Sequence, residues 1–164
     1  MLTLSEIQIR IKQALEEIDF TGEPFELYEP VEYAMKQGGK RMRPSLVLLA
    51  CDIFEGDIEK ALYPAIGIEI FHNFTLLHDD IMDDAPIRRG KPTVYKKWDA
   101  NRAILSGDMM MILAYEYISK TDTSILQDLF RAFNKVAGEV CEGQQYDMNF
   151  ETTTGAVIAS LLVR

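Results

Sequence analysis

Apolar residues recur at helical intervals along most of the 164-residue chain. Leu4, Ile7, Ile11, Leu15 and Ile18 form one stripe, and Ile125, Leu129, Phe133, Val136 and Val140 another. That spacing predicts helices buried on one side only. Ile104, Met111, Tyr115 and Ile118 predict a third, with Asp99 as its N-cap. SLVLLACDIF and the segment from about Ile58 to Ala85 are apolar all round, as expected of central helices. Pro64 stands near the start of the long one, where a missing N–H disturbs little. Turn residues cluster at Gly38-Gly39, at Glu55-Gly56-Asp57 and from Ala85-Pro86 to Gly90-Lys91-Pro92. No alternating run predicts a strand. The pattern predicts an all-α bundle, with residues 1–164 read as a single domain.

Composition and charge narrow the partners. With 48% hydrophobic residues the chain can bury a real core, and its net charge of -9 disfavours nucleic acid or an anionic membrane as the main partner. Cys51 and Cys141, far apart and each in a helical stretch, indicate neither a disulfide framework nor a zinc site, which fits a reducing cytoplasm. The acid-containing amphipathic N-terminus is unlike a signal peptide, and no apolar run is long enough to span a bilayer. A soluble protein is expected.

The chemistry concentrates in LLHDDIMDDAPIRRGKPTVY, Leu76 to Tyr95. At about 100° per residue, His72, Asp79 and Asp83 project from one helix face. Carboxylates one turn apart suit Mg²⁺, which keeps several waters and takes one or two protein carboxylates plus phosphate oxygens. A solvated acidic helix end is the bland reading. It is disfavoured by apolar neighbours that bury the helix and by Arg88 and Arg89, whose planar guanidinium groups can grip phosphate with paired hydrogen bonds. Upstream, GGKRMRP supplies Lys40, Arg41 and Arg43 on a loop that two glycines allow to bend tightly. Together these clusters describe a site for two phosphorylated ligands, one bound through metal and one through bare cations.

GGKRMRP, FHNFTLLHDDIMDDAPIRRGKPT, ILSGD and EGQQYD, in this order, resemble the N-terminal half of the trans-isoprenyl diphosphate synthases, the polyprenyl synthetase family, and in particular its short-chain farnesyl and geranylgeranyl members. The resemblance implies an isoprenoid-synthase-type helical bundle, incomplete at the C-terminus, working as a cytoplasmic homodimer. It implies Mg²⁺ on Asp79 and Asp83, an allylic prenyl diphosphate gripped by Arg88, and isopentenyl diphosphate bound by Lys40, Arg43, His72 and Arg89. Asp80 and Asp84 stay open between ligand and support. Gln144 and Asp147 resemble the family's GQxxD near the metal, or else form a surface pair. Phe74 and Thr75, beneath Asp79, would limit product length, although Phe74 also reads as plain core. His78 and Asp108 are expected to be structural. After Glu151 the sequence departs from the family. Thr153-Thr154 precedes Gly155 with no lysine, and no second aspartate-rich motif follows, so weak or no turnover is expected of this chain alone. Three function classes follow: a trans-prenyltransferase, a non-catalytic binding or regulatory subunit of one, and a class I terpene cyclase or head-to-head condensing enzyme. An intact DDIMD argues against the second, and the GGKRMRP pocket against the third.

Overall fold

A computed structural model describes residues 2–151, and the departure at Thr153-Thr154 lies outside them. The first compact unit runs to Asp122 and the second starts at Thr123. The first holds α1 (Leu4–Glu16), α2 (Phe25–Met35), α3 (Met42–Ile53), α4 (Ile58–Met82), the short strands β1 (Ile87–Arg88) and β2 (Lys91–Pro92), α5 (Val94–Lys97) and α6 (Ala100–Ser119). The second holds α7 (Thr123–Glu151). The fold is all-α, as expected. The hairpin was not legible because two residues per strand are too few to show alternation.

The expected helices form, with shifted ends and faces, but α3, read from SLVLLACDIF as central, leaves Leu46, Ile53 and the following Phe54 exposed. A Thr3–Glu6 capping box starts α1, which stops at Glu16, so Ile18 falls beyond it. Ile7 and Ile11 are fully buried with Leu48 and Ala65, whereas Leu4 is exposed. Asp57 caps α4 and Asp99 caps α6, each accepting from backbone N–H groups of the first turn. As the chain pattern predicts, α4 is central, touching α1, α2, α3, α5 and, most extensively, α6.

On α6 the predicted stripe is displaced. The buried face is Ala103, Ser106, Gly107, Met110, Ala114 and Ile118, while Ile104 is exposed. Small residues cause this. A Cβ at Gly67 would lie 2.6 Å from Ile118 and 3.0 Å from the Ala114 carbonyl, and one at Gly107 would meet the His78 ring. The two helices approach across this small-residue seam, which turns the bulkier apolar residues outward. Helix α7 forms where predicted, but of its expected stripe Phe133 is buried, beside Ala137, while Ile125, Val136 and Val140 are exposed. Among the described residues, no helix is long and apolar enough to cross a membrane.

Candidate active site

Helix α4 ends in a Schellman arrangement that builds the acidic centre. Asp83 is the C-cap, its N–H bonded to the Asp79 carbonyl at 2.9 Å. Asp84 adopts a left-handed φ of 49° and donates to Ile81, and Ala85 donates back to Asp80 at 3.0 Å. Asp79 and Asp83 therefore remain one helical turn apart. The chain reverses through Pro86 into the β1–β2 hairpin, whose base is closed by buried Thr93, bonded to the Pro86 and Ala85 carbonyls.

This reversal carries Arg88 back onto the aspartates. Its Nε donates to buried Asp80 at 2.7 Å and its Nη2 reaches Asp79 at 3.4 Å. Asp84 accepts from the Tyr95 hydroxyl and from Lys96 Nζ at 3.0 Å. The chain's own cations thus relieve the acidic repulsion, so a divalent ion is not needed for that purpose. Burial pushes the Asp80 carboxyl up against the opposing pull of Arg88. Asp80 is therefore a support for Arg88, whereas Asp83 lies exposed at the helix end.

Arg89 turns the other way. It lies beyond the strand, because Arg89-Gly90, with φ of 51° and 77°, form the two-residue turn of a type I′ hairpin. The Arg89 guanidinium donates to the Gly38 carbonyl and lies so close to Gly39 (φ 137°) that a Cβ there would sit 3.0 Å from it. Arg43 Nη1 stands 3.2 Å from His72 Nε2. Burial, then the Arg43, Arg89 and Arg88 charges, lower the His72 pKa to about 4, with Glu69 opposing, so its neutral ring can accept from Arg43. Desolvation, then Arg41, lowers the Arg89 pKa.

Other predicted residues are placed differently. Lys40 is exposed and, with Gly38, Gly39 and Arg41, borders a cavity of about 550 Å³ facing Lys12 and Leu15 of α1. Arg41, read as a free cation from sequence, forms a buried ion pair with Glu69. The ring of Phe74 lies 5.6 Å from Phe71 and 4.8 Å from His78, and Thr75 donates to the His72 carbonyl. His78 and Asp108 meet between α4 and α6 at 3.8 Å, matching a structural role. On α7, Gln144 is half-buried and Asp147 exposed, three positions apart. Sequence reasoning missed Glu69, yet an acid inside the apolar run AIGIEIF is itself the signal, because a buried carboxylate requires a cationic partner.

The donor set suits a hard cation. Among the described residues no three carboxylate, imidazole or thiol groups form a ready-made cage. Asp79 and Asp83 offer two oxygen ligands, and Mg²⁺ completes its octahedron with water and ligand oxygens in such sites.

Comparisons with known proteins identify the family. The chain is 40% identical over 157 residues to a geranylgeranyl diphosphate synthase of Methanosarcina mazei, covering 93% of this chain and 48% of that protein. A crystal structure of a geranylgeranyl pyrophosphate synthase superposes with a TM-score of 0.90 at 46% identity, covering 94% of this chain and 47% of that one. The geranylgeranyl pyrophosphate synthetase of Pyrococcus horikoshii superposes with a TM-score of 0.86 at 36% identity, over 92% of this chain and 48% of that one. The chain thus spans about half the length of the relatives it matches. The family model described as polyprenyl synthetase matches residues 24–160, and the chain belongs to that family.

Proposed function

We propose that the protein to which this chain belongs condenses isopentenyl diphosphate with an allylic prenyl diphosphate, giving a longer all-trans prenyl diphosphate and free diphosphate. The observation that carries the reading is the divergence of Arg88 and Arg89. Adjacent in sequence, one is held at the aspartates and the other at the Gly38 loop, which supplies two separate anion sites on one hairpin.

In this reading, Asp79 and Asp83 hold Mg²⁺, which when bound supplies positive charge against the leaving diphosphate. Arg88 gives up its longer contact to Asp79 to grip that diphosphate, while Asp80, holding Nε, keeps the guanidinium aimed. Arg43, Arg89 and Lys40 bind the isopentenyl diphosphate, while neutral His72 orients Arg43 by accepting its N–H. The allylic C–O bond breaks, the isopentenyl double bond supplies the electron pair for the new C–C bond, and a proton leaves. Phe74 and Thr75 limit the product tail. A cytoplasmic homodimer belongs to the same reading.

The test is to incubate the full-length protein with Mg²⁺ and both diphosphates and analyse the product. A longer linear prenyl diphosphate, released with one diphosphate per condensation, is expected. Cyclic hydrocarbon alone, or binding without any product, refutes it.

A further inference from the structure

We infer that Glu69 is a positioning residue for the second diphosphate pocket, holding Arg41 so that the flanking Lys40 and Arg43 are presented to the ligand from a preformed loop. The inference rests on the reading of that loop as the isopentenyl diphosphate site. Glu69 is 2% exposed on central α4, and its carboxylate pairs with the Arg41 guanidinium. Asn73 aims it, donating at 2.8 Å to the Glu69 carbonyl and at 3.1 Å to Oε1. The same guanidinium donates at 2.8 Å to the Met35 carbonyl at the end of α2. Arg41 is also the N-cap of α3, in the left-handed region at φ 49°. Its carbonyl accepts from the Ser45 N–H and hydroxyl. One residue therefore joins α2, α3 and α4 in a backbone conformation that L-residues avoid.

Such an arrangement points to orientation. A buried ion pair rarely stabilises a fold more than apolar residues of the same volume, so its distinctive effect is to fix geometry. Here the geometry fixed is that of the loop. At its start Arg89 holds the Gly38 carbonyl, and at its end Glu69 holds Arg41. Lys40 lies between these two anchors, and Arg43 follows two residues beyond the second, in the first turn of α3. Without Glu69, Arg41 loses its carboxylate anchor, and the loop that carries Lys40 and leads into Arg43 loses the constraint at its end. The ligand must then order the loop as it binds.

The experiment measures isopentenyl diphosphate binding to the full-length protein without Mg²⁺, beside Mg²⁺-dependent binding of an unreactive allylic diphosphate analogue. Glu69→Gln should weaken isopentenyl diphosphate by about tenfold or more, while the allylic analogue changes less than about threefold. In turnover, the isopentenyl KM should rise with kcat little changed. Asn73→Leu, which leaves the ion pair but removes its aiming donor, should weaken the same ligand by about threefold, and it decides the matter if Glu69→Gln does not fold. Unchanged isopentenyl affinity, equal losses for both ligands, or no isopentenyl binding by wild type would overturn the inference. Condensation is judged separately by product. A wild type that makes product with Glu69-independent affinity sinks only this inference, and one with Glu69-dependent binding but no product sinks only the condensation reading.

Discussion

Asp80→Asn separates the support of Arg88 from the binding of metal. The Asp80 side chain is 5% exposed and takes the Arg88 Nε at 2.7 Å, whereas Asp79 receives Nη2 at 3.4 Å. Asparagine keeps the shape and one acceptor but not the charge. A hydrogen bond to a charged acceptor exceeds a neutral one by about 1–1.5 kcal/mol, so Arg88 should transfer its preference to Asp79 by roughly that amount. The result is competition with Mg²⁺ at Asp79, and an apparent Mg²⁺ affinity lowered by about tenfold. Stability should change far less. Burial already disfavours the Asp80 charge, and removing it relieves a cost that offsets much of the weakened bond. The expected net change is within about 1 kcal/mol. Mg²⁺ titrations at saturating unreactive allylic diphosphate, with urea melts of both forms, give the two quantities. An unchanged Mg²⁺ affinity with a stability loss above about 3 kcal/mol would mark Asp80 as an ordinary buried ion pair and refute the reasoning.

Three further outcomes are expected. His72 should titrate near pH 4 by NMR in the free protein and move toward its ordinary value when diphosphate neutralises the nearby arginines. Because only the unfolded state takes up this proton between its ordinary pKa of 6.5 and about 4, the contribution of His72 lowers stability as the pH is lowered across that window. His72→Gln should flatten that part of the melt profile. Gly107→Ala should lower the melting temperature, since the clash with His78 costs about 1–3 kcal/mol against a helix-propensity gain of about 1. Arg43→Ala should weaken isopentenyl diphosphate much more than the allylic analogue in equilibrium titrations, and equal losses would contradict the separation of the two sites.

Periodicity was enough to reveal the helices whose burial follows one stripe or surrounds the whole segment, such as α1 and α4. It misplaced the face of α6, because Gly67, Gly107 and Ala114 act through what they lack, which a search for large apolar residues passes over. It missed α2, where polar residues interrupt the apolar face, and the β1–β2 hairpin, whose strands are too short to alternate. At the site, Asp79, Asp83 and the arginines were legible from charge and spacing. Their division between two sites came only with the family resemblance, not from charge and spacing. The left-handed conformations of Arg41, Asp84 and Arg89 decide which way each loop turns, and no rule of residue type assigns that conformation to arginine. Hence Arg41 read as a free cation until its pairing with Glu69 was seen.

The central claim is that Asp79 and Asp83 take Mg²⁺ together with an allylic diphosphate, and thermal melting tests it most directly. Wild type and Asp79→Asn are melted with and without Mg²⁺ plus an unreactive allylic diphosphate. Ligand that binds only the folded state stabilises it by linkage, about 2.7 kcal/mol at a hundredfold excess over Kd. Wild type should gain stability only when both components are present. Asp79→Asn, which keeps an acceptor for the long, partly exposed contact to Arg88, should melt close to the unliganded wild type and gain much less from the pair. Equal, Mg²⁺-dependent stabilisation of the two forms would contradict the claim and leave the aspartates as a solvated helix end.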